Sequence, residues 1–208
     1  MIATVGLTGG IGSGKTTIAN LFALHFSIPI YIADTKAKEL VANNKQLQQE
    51  IVTLLGEEAF VEGRYNTSFV AQEVFSNKEK LDKLNAIIHP YVQQDFLQWK
   101  QSQQAPYVIK EAAILFESGS YRDCDFIIMV TAPLEERIKR VMLRDKIDRE
   151  TVEKRIKNQW NDEKKIELST FVIENRESYK NLDKIEIIHS KIEKKKTKKK
   201  KKKKKKKK

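Results

Sequence analysis

Gly9-Gly10-Ile11-Gly12-Ser13-Gly14-Lys15-Thr16 is the stretch on which the reading of this chain turns. It fits G-x-x-x-x-G-K-[ST], the pattern of a loop that cradles phosphate. The apolar run from Ile2 to Leu7 reads as a buried strand leading into it, and Ile18, Leu21, Phe22 and His25 recur after it at helical spacing. Strand, glycine loop, helix is the setting the motif requires. Glycines let the backbone curl so that successive N–H groups converge on an anion. The following helix adds the positive end of its dipole. Lys15 is long enough to reach β- and γ-phosphates, and Thr16 can offer its hydroxyl to Mg²⁺. The alternative is a glycine-rich turn that binds nothing, and the flanking strand and helix count against it.

Outward from the loop, strands alternate with helices. Ile28 to Ile32 reads as a second strand, Tyr107 to Leu115 as a third, Phe126 to Thr131 as a fourth and Phe171 to Ile173 as a fifth. Phe126 to Val130 is continuously apolar, as a parallel strand covered on both faces should be. Helical patterns fall at 36–42 and 47–55, over 67–104 with a break at His89-Pro90, at 133–145, at 149–160 and at 177–189. Residues 56–66 read as a loop. The alternation implies an α/β fold: a doubly wound, five-stranded parallel sheet.

The net charge of +12 resembles that of a nucleic-acid binder, but its distribution argues otherwise. Residues 191–208 hold 15 Lys and one Glu, so the first 190 residues carry a net charge of −2. The basic character belongs to a tail, which reads as disordered and as a non-specific binder of polyanions. The single cysteine, Cys124, excludes an intramolecular disulfide, reads as a packing residue and fits a reducing cytoplasm. No secretory signal is evident, and the apolar runs are too short to span a bilayer.

Several residues outside the loop suggest chemistry. Asp34 follows the second strand, at the edge where ligands collect in such sheets; it could equally serve as a helix N-cap. The segment Arg137 to Lys157 carries nine basic residues, either a solvated face or a source of cations for a moving phosphoryl group. Within it, Arg140 and Arg144 share one helical face. Glu111 is a candidate to hold Mg²⁺ through water, or else an edge residue paired with Lys110. His89, before Pro90, reads as structural.

Taken in order, these stretches resemble the bacterial dephospho-coenzyme A kinase family over almost all of residues 1–190. The resemblance is carried by Gly6-Leu-Thr-Gly-Gly-Ile-Gly-Ser-Gly-Lys-Thr16, Ala33-Asp34, Leu84-Asn-Ala-Ile-Ile-His-Pro90, Leu115-Phe-Glu-Ser-Gly119, Arg140 with Arg144-Asp145, and Val172-Ile-Glu-Asn175. The combination of Asn85…His89-Pro90 with Leu115-Phe116-Glu117 is far more specific than the loop. It implies ATP-dependent phosphorylation of the ribose 3′-hydroxyl of dephospho-coenzyme A, the last step of coenzyme A synthesis, with Mg²⁺. It also implies a P-loop kinase core over 1–190, a helical substrate-side insertion at about 56–104 and a lid at about 137–160. By the same resemblance, Gly10, Ile11, Gly12, Ser13, Gly14, Lys15, Thr16 and Thr17 hold the nucleotide phosphates, and Asn175 lies near adenine. Asp34 is the catalytic acid-base residue, acting with Lys15, Arg140 and Arg144. His89, Leu115 and Glu117 belong with Asp34 on the substrate side. The chain departs from the family pattern at Ile32, where an acid is usual, and at Ala113 and Ile114.

Three other readings compete. Another small-molecule kinase of the same fold would share the loop, which is silent about the acceptor. A GTPase would need an Asn-Lys-x-Asp segment, and Asn181-Leu182-Asp183-Lys184 has the wrong order. A nucleic-acid-binding protein would need a basic face, which the near-neutral body lacks.

Overall fold

The computed structural model describes residues 2–75, 77–176 and 181–205. Strand β1 (Ala3–Thr8) leads into α1 (Lys15–Phe26), followed by β2 (Ile30–Ile32), α2 (Ala33–Asn43) and α3 (Lys45–Leu55). A short hairpin, β3 (Phe60–Val61) and β4 (Arg64–Tyr65), precedes α4 (Thr67–Phe75) and α5 (Lys78–Gln101). Then come β5 (Tyr107–Glu111), β6 (Phe126–Thr131), α6 (Leu134–Asp145), α7 (Arg149–Lys157), α8 (Asp162–Glu167), β7 (Phe171–Glu174) and α9 (Leu182–Lys205). The chain forms two compact units, Met1–Tyr31 with Gln103–Lys208, and Ile32–Ser102.

The first unit is built on the expected five-stranded parallel sheet, in the order β2-β5-β1-β6-β7. Every residue of β1 is buried, because β5 and β6 flank it and both of its faces are covered. Val5 sits opposite Ile109 on one side and Phe126 on the other. The order reverses at β1, so the loop after it opens at the switch point outside the carboxyl ends of the strands. On one side of the sheet, Ile18, Ala19 and Phe22 of α1 and Ile185, Ile188 and Ile192 of α9 join Val5, Leu7, Ile109 and Ile128 in one core. Cys124 is half-buried: its Sγ lies 3.6 Å from the Ser120 carbonyl, and a Cβ at Gly6 would meet it at 2.9 Å. That is packing, as expected. Among the described residues no helix is long and apolar enough to cross a membrane.

The second unit packs α5 against α2, α3 and α4. It begins at Ile32, earlier than the insertion expected from about 56. The reason is that Val41, Leu47, Ile51 and Leu55 share one apolar cluster with Val70 and Leu84. The expected loop at 56–66 contains the β3–β4 hairpin, turned at Glu62-Gly63 with both residues at positive φ (50° and 74°). Two-residue strands are too short to show an alternating pattern. The expected helix break at His89-Pro90 is also corrected: α5 runs through Pro90. Leu84 before it and Val92 and Phe96 after it are all buried, so packing on both sides offsets a proline cost of about 3 kcal/mol. The break falls instead between α4 and α5, where the Asn77 side chain caps α5 by accepting from the Lys80 N–H. Strand β5 ends at Glu111 rather than Leu115.

The largest revision is at the C-terminus. The segment expected to be disordered from residue 191 is helical as far as Lys205, with residues 206–208 and the expected helix start at 177–180 outside the described residues. Ile192 is fully buried, one helical turn beyond Ile188 and two beyond Ile185. His189 stacks on Phe26 at 4.1 Å, and its Nδ1 shares a 2.8 Å hydrogen bond with Tyr107 Oη. Packing on the core extends as far as Lys195, whose ammonium lies 5.7 Å from the Phe126 ring. A chain ending at Ser190 loses a buried isoleucine, a change of the large-to-small core type costing about 2–4 kcal/mol. Its Tm should fall by about 5–15 °C, whereas a chain ending at Lys195 should melt with the full-length protein. Thermal unfolding of the two truncations decides the matter, and equal Tm values would move the boundary back to 190.

Candidate active site: the phosphate loop and the residues that hold it

The glycine loop closes on itself through Ser13 N–H to Gly10 C=O at 3.1 Å. Gly12 and Gly14 are left-handed, at φ 78° and 86°. A Cβ at Gly12 would stand 2.4 Å from the Arg137 carbonyl, and one at Gly14 2.1 Å from Asn175 Nδ2. Neither position has room for a side chain, and neither backbone conformation suits one. Lys15 Nζ folds back across the loop and donates to the carbonyls of Gly9 (3.1 Å) and Gly10 (3.4 Å). Thr17 is exposed in the first turn of α1.

Thr16 and Glu111 meet: Thr16 Oγ1 donates to Glu111 Oε1 at 2.9 Å, across 95 residues of sequence. A hydroxyl and a buried carboxylate at the helix end of a phosphate cradle are hard oxygen donors. They fit Mg²⁺, which takes few protein ligands and keeps waters and phosphate oxygens. The alternative pairing of Glu111 with Lys110 fails, because successive side chains of a strand point to opposite faces. Lys110 is itself buried, and that burial pushes its ammonium below the usual lysine range.

The two expected arginines separate. Arg140 reaches the loop, donating to the carbonyls of Gly12 (3.4 Å), Asn175 (3.2 Å) and Arg176 (3.1 Å), and pairs with Glu136 at 2.9 Å. Arg144 does not. It is 63% exposed and pairs with Asp145, which also accepts from Arg155 at 2.9 Å. The Arg144 guanidinium holds the Asp145 carboxyl below the usual range. The arginine that sequence reasoning did not single out is Arg137. Its Nε donates to the Ile11 carbonyl at 3.0 Å, and its Nη1 meets Asp162 at 2.9 Å with only 7% of the side chain exposed. The available signal was its position three residues before Arg140, on the same helical face.

Asn175 is buried, and both ends of its amide are used within the protein. Nδ2 donates to the Ser13 carbonyl and Oδ1 accepts from Asn181 Nδ2, each at 2.9 Å. Asn175 thus braces the loop through the Ser13 carbonyl. Ile11 is held likewise. Its N–H donates to Gln159 Oε1 at 3.0 Å, its carbonyl is held by Arg137, and its side chain packs with Ile138, Val141 and Val152. Leu115 is fully buried, within 2.6 Å of where a Gly6 Cβ would stand, so it is core rather than an open contact. Glu117 accepts from Trp160 N–H at 2.9 Å and pairs with the fully buried Lys165 at 2.8 Å. In the other unit, His89 lies half-buried within α5 rather than at a helix end. Asp34 is exposed in the first turn of α2; the capping position belongs to Ile32, which corrects the N-cap alternative.

Comparison with known proteins identifies the family. The model for "Dephospho-CoA kinase" matches residues 3–181. A dephospho-CoA kinase of Bacteroides fragilis is 39% identical over 176 residues, 84% of this chain and 85% of that one. One from Fusobacterium nucleatum is 38% identical over 184 residues, 88% of this chain and 94% of that one. A crystal structure from Thermus thermophilus superposes with a TM-score of 0.81 at 34% identity, covering 91% of this chain and 97% of that one. The fold alone is shared with shikimate kinase from Acinetobacter baumannii, at a TM-score of 0.56 and 14% identity, over 92% of this chain and 93% of that one. On the match over nearly the whole packed body, this chain belongs to the dephospho-CoA kinase family.

Proposed function

We propose that the protein transfers the γ-phosphoryl group of ATP to the ribose 3′-hydroxyl of dephospho-coenzyme A. The family match over residues 3–181 carries this reading; the loop geometry by itself supports a phosphoryl donor and says nothing of the acceptor. Amides from Gly12 to Thr16 and the Lys15 ammonium take the β- and γ-phosphates. Thr16 and Glu111 would hold Mg²⁺, which would supply neutralising charge to the phosphate oxygens. Asp34 orients the acceptor hydroxyl and takes its proton, with His89 on the same substrate side. Little covalent chemistry is asked of the side chains, because phosphoryl transfer is positioning and electrostatics. The test is ADP release with a panel of acceptors: dephospho-coenzyme A, AMP, shikimate and cytidine. Stimulation by the first alone is expected, and stimulation by another alone would reassign the substrate. The lysine run adds salt-sensitive, sequence-independent binding of polyanions.

Arg140 is the cation best supported for the transferring group, because it already lies against the loop. Arg140→Ala should lower kcat about 10²-fold, the scale of removing one aligned charge stabiliser. Arg144→Ala should change kcat less than tenfold, because an exposed ion pair contributes about 1 kcal/mol or less. Steady-state kinetics on both variants tests the order, and a larger effect at Arg144 would reverse it.

A further inference from the structure

Residues 159–165, the connection from α7 into α8, touch two parts of the site at once. At one end they hold the apex of the phosphate loop. Gln159 Oε1 accepts the Ile11 N–H at 3.0 Å, and Asp162 pairs at 2.9 Å with Arg137, whose Nε takes the Ile11 carbonyl. Both polar groups of one loop residue are thus fixed from outside the cradle. At the other end the same seven residues hold the segment after β5. Trp160 donates its backbone N–H to Glu117 and stacks its ring on Phe116, at 6.3 Å and 11° between planes. Lys165 is fully buried, with its ammonium 2.8 Å from Glu117 Oε1. Lys164 closes the outer face of the indole at 3.6 Å. Asn161 caps α8 by accepting from the Lys164 N–H at 3.1 Å, which gives the connection a defined shape.

A buried lysine is tolerated only when paired, since an isolated ammonium out of water is too costly. Lys165 has Glu117 beside it, and Glu117 spends the same oxygen on Trp160. Both contacts run through Oε1, while Oε2 is buried and makes no hydrogen bond among the described residues. We propose that residues 159–165 form a strap that fixes the phosphate loop and the Leu115-Phe116-Glu117 segment in one geometry. Gln159 and Asp162 are its positioning residues for the nucleotide phosphates, Lys165 is its buried counter-charge, and Glu117 is its anchor rather than a substrate contact. The inference rests on the reading of the loop as the ATP phosphate site. It departs from the substrate role that the family resemblance implies for Glu117.

The test uses full-length protein and separates binding from turnover. Gln159→Met keeps the size of the side chain and removes the acceptor, leaving the Ile11 N–H unpaired. ATP affinity by calorimetry should fall about five- to tenfold, while kcat at saturating ATP stays within about twofold. Unchanged ATP affinity would overturn the loop end of the strap. For the other end, Lys165→Met alone leaves a buried carboxylate without its cation and should lower Tm. The double variant Glu117→Gln/Lys165→Met removes both charges and should recover most of that loss. If Glu117 is an anchor, the KM for dephospho-coenzyme A in the double variant stays within about threefold of wild type. A recovered Tm with KM raised tenfold or more would return Glu117 to direct contact and overturn the proposal there. Absence of any ATP binding to the wild-type protein would instead refute the underlying reading of the loop.

Discussion

Lys15→Ala is expected to lower kcat roughly 10³-fold while leaving the fold in place. The side chain is half-buried and donates to two carbonyls of its own loop, Gly9 and Gly10. Neither bond joins separate elements, so their loss opens no core. Each contributes about 1 kcal/mol at most to stability, and Tm should fall by no more than about 8 °C. In the reaction the same ammonium faces phosphate oxygens whose charge grows in the transition state, where removing it costs far more. The measurement pairs circular dichroism with kcat at saturating ATP and dephospho-coenzyme A. A variant with wild-type kcat would take the loop out of the mechanism, and one that has lost its helical signal would show that Lys15 is structural.

Asp34→Asn is the second large effect. Asn has nearly the shape of Asp but cannot accept the acceptor's proton, so kcat should fall by roughly 10²–10⁴. Binding of ATP, measured separately, should stay close to wild type. The structure sharpens the contrast with a purely local role. Asp34 lies inside the first turn of α2, and the capping position is Ile32. A first-turn acid interacts with the helix dipole, and neutralising it costs about 0.3–1 kcal/mol, which Tm would register and kcat would not. A kcat within a few-fold of wild type, with a small loss of Tm, would leave the base unidentified.

What the sequence by itself determined is the sheet and the motif at its switch point. Five short apolar runs separated by helical periodicity leave a parallel sheet as the economical way to bury them. The glycines, lysine and threonine of the loop after β1 stand in the order and spacing that a phosphate cradle needs. Both signals are local, because each is written in residues adjacent along the chain. The Thr16–Glu111 contact was half legible: each residue suggested a metal, but only the pairing of β1 with β5 brings them to 2.9 Å.

Tertiary structure decided which residues brace the site. Arg140 and Arg144 look alike in sequence, one turn apart on one helix. Their difference lies in what stands opposite: the carbonyls of Gly12 and Asn175 for one, solvent and Asp145 for the other. Pro90 breaks a helix by its own stereochemistry, yet α5 continues because burial on both sides outweighs the local cost. The run of lysines after Ser190 signals solvation, while Ile192 and the stacking of His189 on Phe26 keep that helix on the core. Gln159 and Lys165 carry no motif at all. Their partners, Ile11 and Glu117, lie 148 and 48 residues away. A contact over that distance is chosen by how helices pack on the sheet, and no periodicity along the chain records it.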